Sequence, residues 1–171
     1  MRWWIIAIFF LGCSSHSVKD YKANKPEFKI KEFFNGDLKA HGTVLSRSGK
    51  LLSTFVVDMK GSWNGNEGVL DEDFVYSDGR KDKRIWRLKV KNDGSIEGRA
   101  DDVNGVADGK IAGNAFHFTY SIQLPIDGEI YNLDFEDWMY LVDKNTLMAK
   151  TDMRKFGFKV GEILIVMRKV P

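Results

Sequence analysis

The sequence predicts an all-β fold, an antiparallel up-and-down barrel of about 8–10 strands with at most one short N-terminal helix. Three observations carry this expectation. Nine turn signals recur from Ser48-Gly49 to Phe156-Gly157 with little between them that reads as a helix. The segments between the turns alternate apolar and polar residues, the period of a strand with one buried face. Those segments are long for sandwich strands, and no extended crossover marks a Greek key. Many hairpin-joined strands cannot stay an open flat sheet without exposing edges, so closure is favoured.

The elements follow in order. Met1-Arg2 precedes a nine-residue apolar run over 3–11, and then Gly12, Cys13 and Ser14. Such a run is too short to span a bilayer, which needs about 20 apolar residues, but it suits a secretory signal. The only cysteine follows a small residue, as in a bacterial lipobox, so residues 1–12 are expected to be a cleaved signal peptide and Cys13 to be acylated. An ordinary signal peptide with an incidental cysteine is the alternative. Acyl chains contribute about 0.8 kcal/mol per buried methylene, enough to hold the mature chain on a leaflet. Ser14, rather than Asp, after the cysteine suggests the outer membrane, facing the periplasm. Residues 13–26 are polar, with Lys19, Lys22 and Lys25, and are expected to form a flexible tether. Residues 27–171 then form one barrel domain.

Within it, residues 28–34 admit one short helix. The turns Asn64-Gly65, Asp78-Gly79, Asp93-Gly94, Asn104-Gly105, Gly113-Asn114, Asp127-Gly128 and Lys144-Asn145 complete the series, so nine turns separate ten strands. The apolar faces are Leu38, Ala40, Thr43 and Leu45; Phe55, Val57 and Met59; Leu70, Phe74 and Tyr76; Trp86, Leu88 and Val90. Further along they are Phe116, Phe118, Tyr120, Ile122 and Leu124; Leu133, Phe135, Met139 and Leu141; Ile163, Ile165 and Met167.

Composition narrows the function. With 26 Lys and Arg against 24 Asp and Glu, the charge is too balanced for a nucleic-acid binder held by a basic face. A chain of 171 residues supports one core without disulfides. The three histidines lack metal-ligand spacing, so no metal and no cofactor are expected. No nucleophile elbow, phosphate loop or dinucleotide fingerprint is present.

Three charges break the alternating pattern. Glu72 shares a face with Leu70, Phe74 and Tyr76, and Asp137 shares one with Leu133, Phe135, Met139 and Leu141. Arg84 has the parity of Trp86 and Leu88. A buried carboxylate needs a cation, hydrogen bonds or a raised pKa. The arrangement reads either as an internal ion-pair network that fixes register or as the polar floor of a ligand cavity. The ligand-binding candidates are Glu72, Arg84 and Asp137, with Trp86, Trp138 and Tyr140 lining the wall. Asp101, Asp102 and Asn114 are secondary candidates whose simpler reading is turn chemistry. Trp63, Tyr76, Tyr120 and Tyr131 are expected mostly in the core. No residue is assigned as catalytic, although two inward carboxyls can in principle serve as acid and base.

Phe33-Phe34-Asn35-Gly36, Leu70 to Gly79, Ala100-Asp101-Asp102-Val103, Gly113-Asn114-Ala115, Asp137 to Leu141 and Lys155-Phe156-Gly157 together resemble a family of bacterial lipoproteins, the domain-of-unknown-function family 3833. The resemblance covers roughly residues 28–169. It implies a lipid-anchored, periplasm-facing domain with a lipocalin- or calycin-like fold, inclines the ligand toward lipids, and transfers no catalytic residue. The expected function is binding of a small amphiphile or fatty acyl ligand, with the membrane as partner through the anchor. The alternatives are an accessory envelope lipoprotein with a filled barrel and an enzyme acting on lipids.

Overall fold

The structure, a computed structural model, describes residues 16–126 and 129–171, so the expected signal segment and Cys13 lie outside the described residues. Ten antiparallel strands follow the turn pattern read from the sequence, of which the Asp127-Gly128 turn lies outside the described residues. They are β1 (Gly36–Ser46), β2 (Leu51–Asn64), β3 (Glu67–Tyr76), β4 (Lys81–Val90), β5 (Ile96–Arg99), β6 (Ala107–Ala112), β7 (Ala115–Ile126), β8 (Glu129–Asp143), β9 (Thr146–Lys155) and β10 (Phe158–Lys169). Each pairs with its neighbours in sequence, and β1 pairs with β10, with Ala40 opposite Met167, to close the barrel. The fold is therefore a lipocalin-like up-and-down barrel, and closure leaves no strand edge unpaired along most of its circumference.

The inward faces match the alternating residues with one exception. In β1 the inward set is Leu38, Ala40, Gly42 and Val44, not Thr43 and Leu45. Gly42 lies opposite Phe55, and a Cβ there would collide with the Phe55 ring, so the strand keeps its phase by giving up a side chain. The register shifts only afterwards, between Val44 and Leu45.

One end of the barrel is plugged. A single helical turn, α1 (Ile30–Phe33), places Phe28, Ile30, Phe33 and Phe34 inside, with Phe28 stacked on Phe116 at 5.7 Å. A four-residue helix leaves carbonyls without partners. Trp63 Nε1 donates to the Phe34 carbonyl at 2.7 Å, and Lys169 Nζ donates to those of Glu32, Phe33 and Asn35 at 3.1, 3.0 and 2.6 Å. Gly61 leaves room for the Phe34 carbonyl that a Cβ would occupy.

The segment expected as a free tether is partly docked. Ser17 caps a 3-10 turn, Val18–Tyr21, with a reciprocal bond from its backbone to Asp20, and Val18 is buried. Gly113, at φ 55°, passes so close to the Tyr21 carbonyl that no side chain would fit, and Phe28 N donates to Gly113 O at 2.7 Å. Residues 17–28 thus run along the outside of β6 and β7 before entering the plug.

β5 and β6 have only four and six residues, so toward the other end β4 and β7 have no strand between them. Residues 100–106 fill this gap. Val103 bridges to Ile122, and Asn104 N donates to Ser121 O at 2.8 Å.

Candidate functional site

The lumen behind this gap holds a cavity of about 330 Å³, within the range of small-molecule sites. It opens at the end opposite the plug, beside the β3–β4 turn. Its wall is mainly apolar, with Val57, Met59, Leu70, Trp86, Phe118 and Met139 among the lining residues. Tyr120 stacks on Phe135 at 5.3 Å and meets Trp86 edge-on at 5.2 Å, so the aromatic part of the wall is continuous.

Strand pairing positions the charges. Glu72 on β3 lies between Met59 and Arg84, and Asp137 on β8 lies between Phe118 and Thr151. β3 and β8 are five strands apart in either direction around the ten-strand ring, so the carboxyls approach one space from opposite walls. Each residue is only 7% exposed. Burial is the main influence on both and disfavours the ionised form. Glu72 is raised to about 7, with Arg84 lowering it and Asp137 and Asp102 raising it. Asp137 is raised to about 6 by burial, against the lowering effects of the Thr151 and Tyr120 hydroxyls and Arg84. Asp137 Oδ1 is buried without a hydrogen-bond partner.

Arg84 is not ion-paired with either carboxyl. Its Nε donates to Asp102 Oδ1 and Oδ2 at 3.2 and 3.0 Å, and its Nη2 donates to Asp102 Oδ2 at 2.6 Å. This fork fastens residues 100–106 to β4 across the gap between β4 and β7. The guanidinium carbon also lies 5.8 Å from the Trp86 ring centre. Glu72 and Arg84 are directly opposite on β3 and β4, yet the Arg84 ion pair forms with a loop aspartate and not with the inward carboxyls.

The other candidates divide. Trp86 lines the cavity, and Asp102 reaches its rim. Trp138 and Tyr140 do not line it, and the expectation that they do is corrected. They alternate with Asp137 and Met139, which point inward, so they must point outward. Trp138 lies against His117 at 4.3 Å and His16 at 4.2 Å, and Tyr140 shares a 3.3 Å hydroxyl contact with Tyr21. These two residues therefore hold the N-terminal segment against the barrel. Asp101 is solvent-exposed beside Arg87 at 3.2 Å, and Asn114 Nδ2 donates to the Leu141 carbonyl at 3.2 Å. Neither side chain caps its own turn: Asp101 pairs with a strand cation and Asn114 ties the β6–β7 turn to β8.

Sequence reasoning did not assign Tyr120 and Thr151 to the polar part of the lumen. The signal was the one that found Glu72, a polar group sharing parity with apolar neighbours, here Phe118 and Ile122, and Leu147 and Ala149. Outside the barrel, polar groups are paired: Lys159 with Asp152 at 2.7 Å, the His117 ring with Glu136 at 3.1 Å and Arg154 with Asp152 at 3.2 Å. Among the described residues, no group of three or more potential metal ligands occurs.

Comparison with solved structures finds a similar fold in an S-type phycobiliprotein lyase from Guillardia theta, with a TM-score of 0.60 and 8% identity. The match covers 84% of this chain and 94% of that one. At that identity the likeness concerns the fold. No curated protein matches the chain. The family model described as "Protein of unknown function (DUF3833)" matches residues 7–169, nearly the whole chain, and the protein accordingly belongs to that family.

Proposed function

We propose that the protein is a lipid-anchored envelope lipoprotein, on the periplasmic face of the outer membrane, whose barrel binds a small amphiphile with an acyl or alkyl chain. The single observation that carries this reading is the cavity of about 330 Å³ with an apolar wall and two buried carboxyls. An apolar chain fits the wall, and a polar head fits the charged region. The cavity favours a ligand-binding barrel over the accessory reading, which requires a filled lumen. The similar lyase fold is consistent with a barrel that handles a small molecule.

The anchor reading rests on Cys13 and its neighbours in sequence. The mouth adds support, because Phe156 and Phe158 at the β9–β10 turn are 87% and 70% exposed and Lys155 Nζ lies 3.7 Å from the Tyr131 ring centre. An apolar lip with a neighbouring cation suits a protein held against a bilayer.

Native mass spectrometry after gentle extraction tests the ligand. The expected spectrum contains an adduct with the mass of an amphiphile, and a protein that is always empty and takes up no alkyl chain overturns the reading. Metabolic labelling with an alkynyl fatty acid tests the anchor, and Cys13→Ala is expected to abolish the label.

A further inference from the structure

We propose that the lumen selects amphiphiles whose polar head is a cation rich in hydrogen-bond donors, with alkyl amines as the simplest class, and discriminates against free carboxylates. This inference rests on the ligand-binding reading above and specifies its head group.

The cations that line the cavity are Arg80, Lys83 and Arg84. Each has an acidic neighbour other than Glu72 or Asp137. Arg80 is 3.9 Å from Asp78, Lys83 is 2.5 Å from Asp71 and 3.1 Å from Asp73, and Arg84 is held in the fork of Asp102. Glu72 and Asp137 are left facing the cavity with no ion pair among the described residues, although each is more than nine-tenths buried. Asp137 Oδ1 also lacks any hydrogen-bond donor.

A buried polar atom without a partner is costly, and a buried pair of like charges is more so. A fatty acid carboxylate entering this space adds a third negative group, while the guanidinium that would receive it is occupied by Asp102. An alkyl ammonium does the opposite. Its three N–H donors can serve carboxyl oxygens from both walls, and its charge favours their ionised forms. The chain then lies along the apolar wall formed by residues such as Met59, Trp86, Phe118 and Met139.

Arg84, Asp137, Asp102 and Asp71 act on Glu72, and the Thr151 and Tyr120 hydroxyls and Arg84 act on Asp137. In the empty barrel both carboxyls hold protons at higher pH than usual. An ammonium must displace those protons, so amine binding weakens as pH falls from 8 toward 5 and releases protons near neutrality.

The test is isothermal titration of the full-length protein in neutral phosphatidylcholine nanodiscs, with empty discs as the blank. The probes are octylamine, octanol and octanoate, which share one chain length. At pH 8 octylamine is expected to bind at least about tenfold more tightly than octanoate, a difference of about 1.4 kcal/mol, with octanol between them. Glu72→Gln and Asp137→Asn are each expected to weaken octylamine about tenfold and to leave octanol within about twofold. Octanoate binding as tightly as octylamine, or amine affinity that is unchanged between pH 8 and pH 5, overturns the head-group assignment while octanol binding preserves the lumen reading. Failure of all three probes overturns the lumen reading itself. If a variant does not fold, the pH series on the parent protein and the proton release measured in two buffers decide the matter.

Discussion

The two ends of the barrel are built from the same alternating strands but are finished differently. At the plugged end, the carbonyls around α1 accept hydrogen bonds from Trp63 and Lys169, and Phe28, Phe33 and Phe34 are buried. Toward the open end, apolar side chains stand in solvent and a loop replaces missing strand, and midway along β3 and β8 two inward carboxyls have no ion pair. Satisfied bonding gathers at the first end, and unmet bonding capacity lies in the lumen beyond it. A protein selected only to fill its barrel would have no reason to retain Glu72 and Asp137, because apolar residues of similar volume satisfy a core at lower cost.

Removing the plug's packing should produce the largest effect. Phe33→Ala is expected to cost about 3–5 kcal/mol, read as a lower urea midpoint with an unchanged slope. A loss below about 1 kcal/mol would mean that the plug is not part of the cooperative core.

Neutralising the lumen should act in the opposite direction. Because folding raises the pKa of Glu72 from 4.5 to about 7, the folded state binds more protons than the unfolded chain in that window. The contribution of this group to stability is therefore best at low pH, declines as pH rises from about 4.5 to about 7, and is flat above. Glu72→Gln is expected to stabilise the barrel by up to about 3 kcal/mol at pH 8 and to remove that part of the slope, as measured by urea titrations at pH 5 and pH 8. Destabilisation at pH 8, equal to that at pH 5, would show that the carboxylate is satisfied after all.

The Arg84–Asp102 fork is the link between a satisfied pair and the unsatisfied lumen. Asp102→Asn is expected to lower stability by about 1–2 kcal/mol and to speed amide exchange in residues 100–106 while leaving the plug protected. It also frees the guanidinium, so octanoate affinity should rise. Uniform exchange across the barrel would argue against a local role for the pair.

The smallest expected effect is at the lip. Phe156 occupies the left-handed region at φ 52°, where Asn is tolerated better than an aromatic residue, and its side chain is 87% exposed. Phe156→Asn is therefore expected to raise stability by about 1 kcal/mol in urea. A loss of stability would place the ring in a packing role that its exposure does not suggest.

Much of this was legible in the residues. The turn dipeptides located the strands because turn chemistry is local, with glycine at positive φ in most of them, and parity located Glu72, Arg84 and Asp137 because the strand period is two. The same rule excludes Trp138 and Tyr140 from the lumen, because their neighbours Asp137 and Met139 point inward, and aromatic character does not override parity. β1 departs from its own sequence pattern for a different reason. Its phase depends on Gly42 opposite Phe55, a contact between strands that a single strand's pattern does not contain. The docked turn capped by Ser17 and Asp20 reads as free tether because the surface that receives it, on β6 and β7, is remote in sequence.

The amino-acid sequence by itself determined the number of strands, their order, and which charges enter the lumen, since turn conformation and side-chain alternation are set by near neighbours. Only the tertiary structure decided that the barrel closes β1 on β10, that Arg84 is claimed by Asp102, and that a cavity remains between Glu72 and Asp137. Those outcomes depend on distances across the ring and on how much of the enclosed volume the side chains fill, quantities that no local pattern encodes.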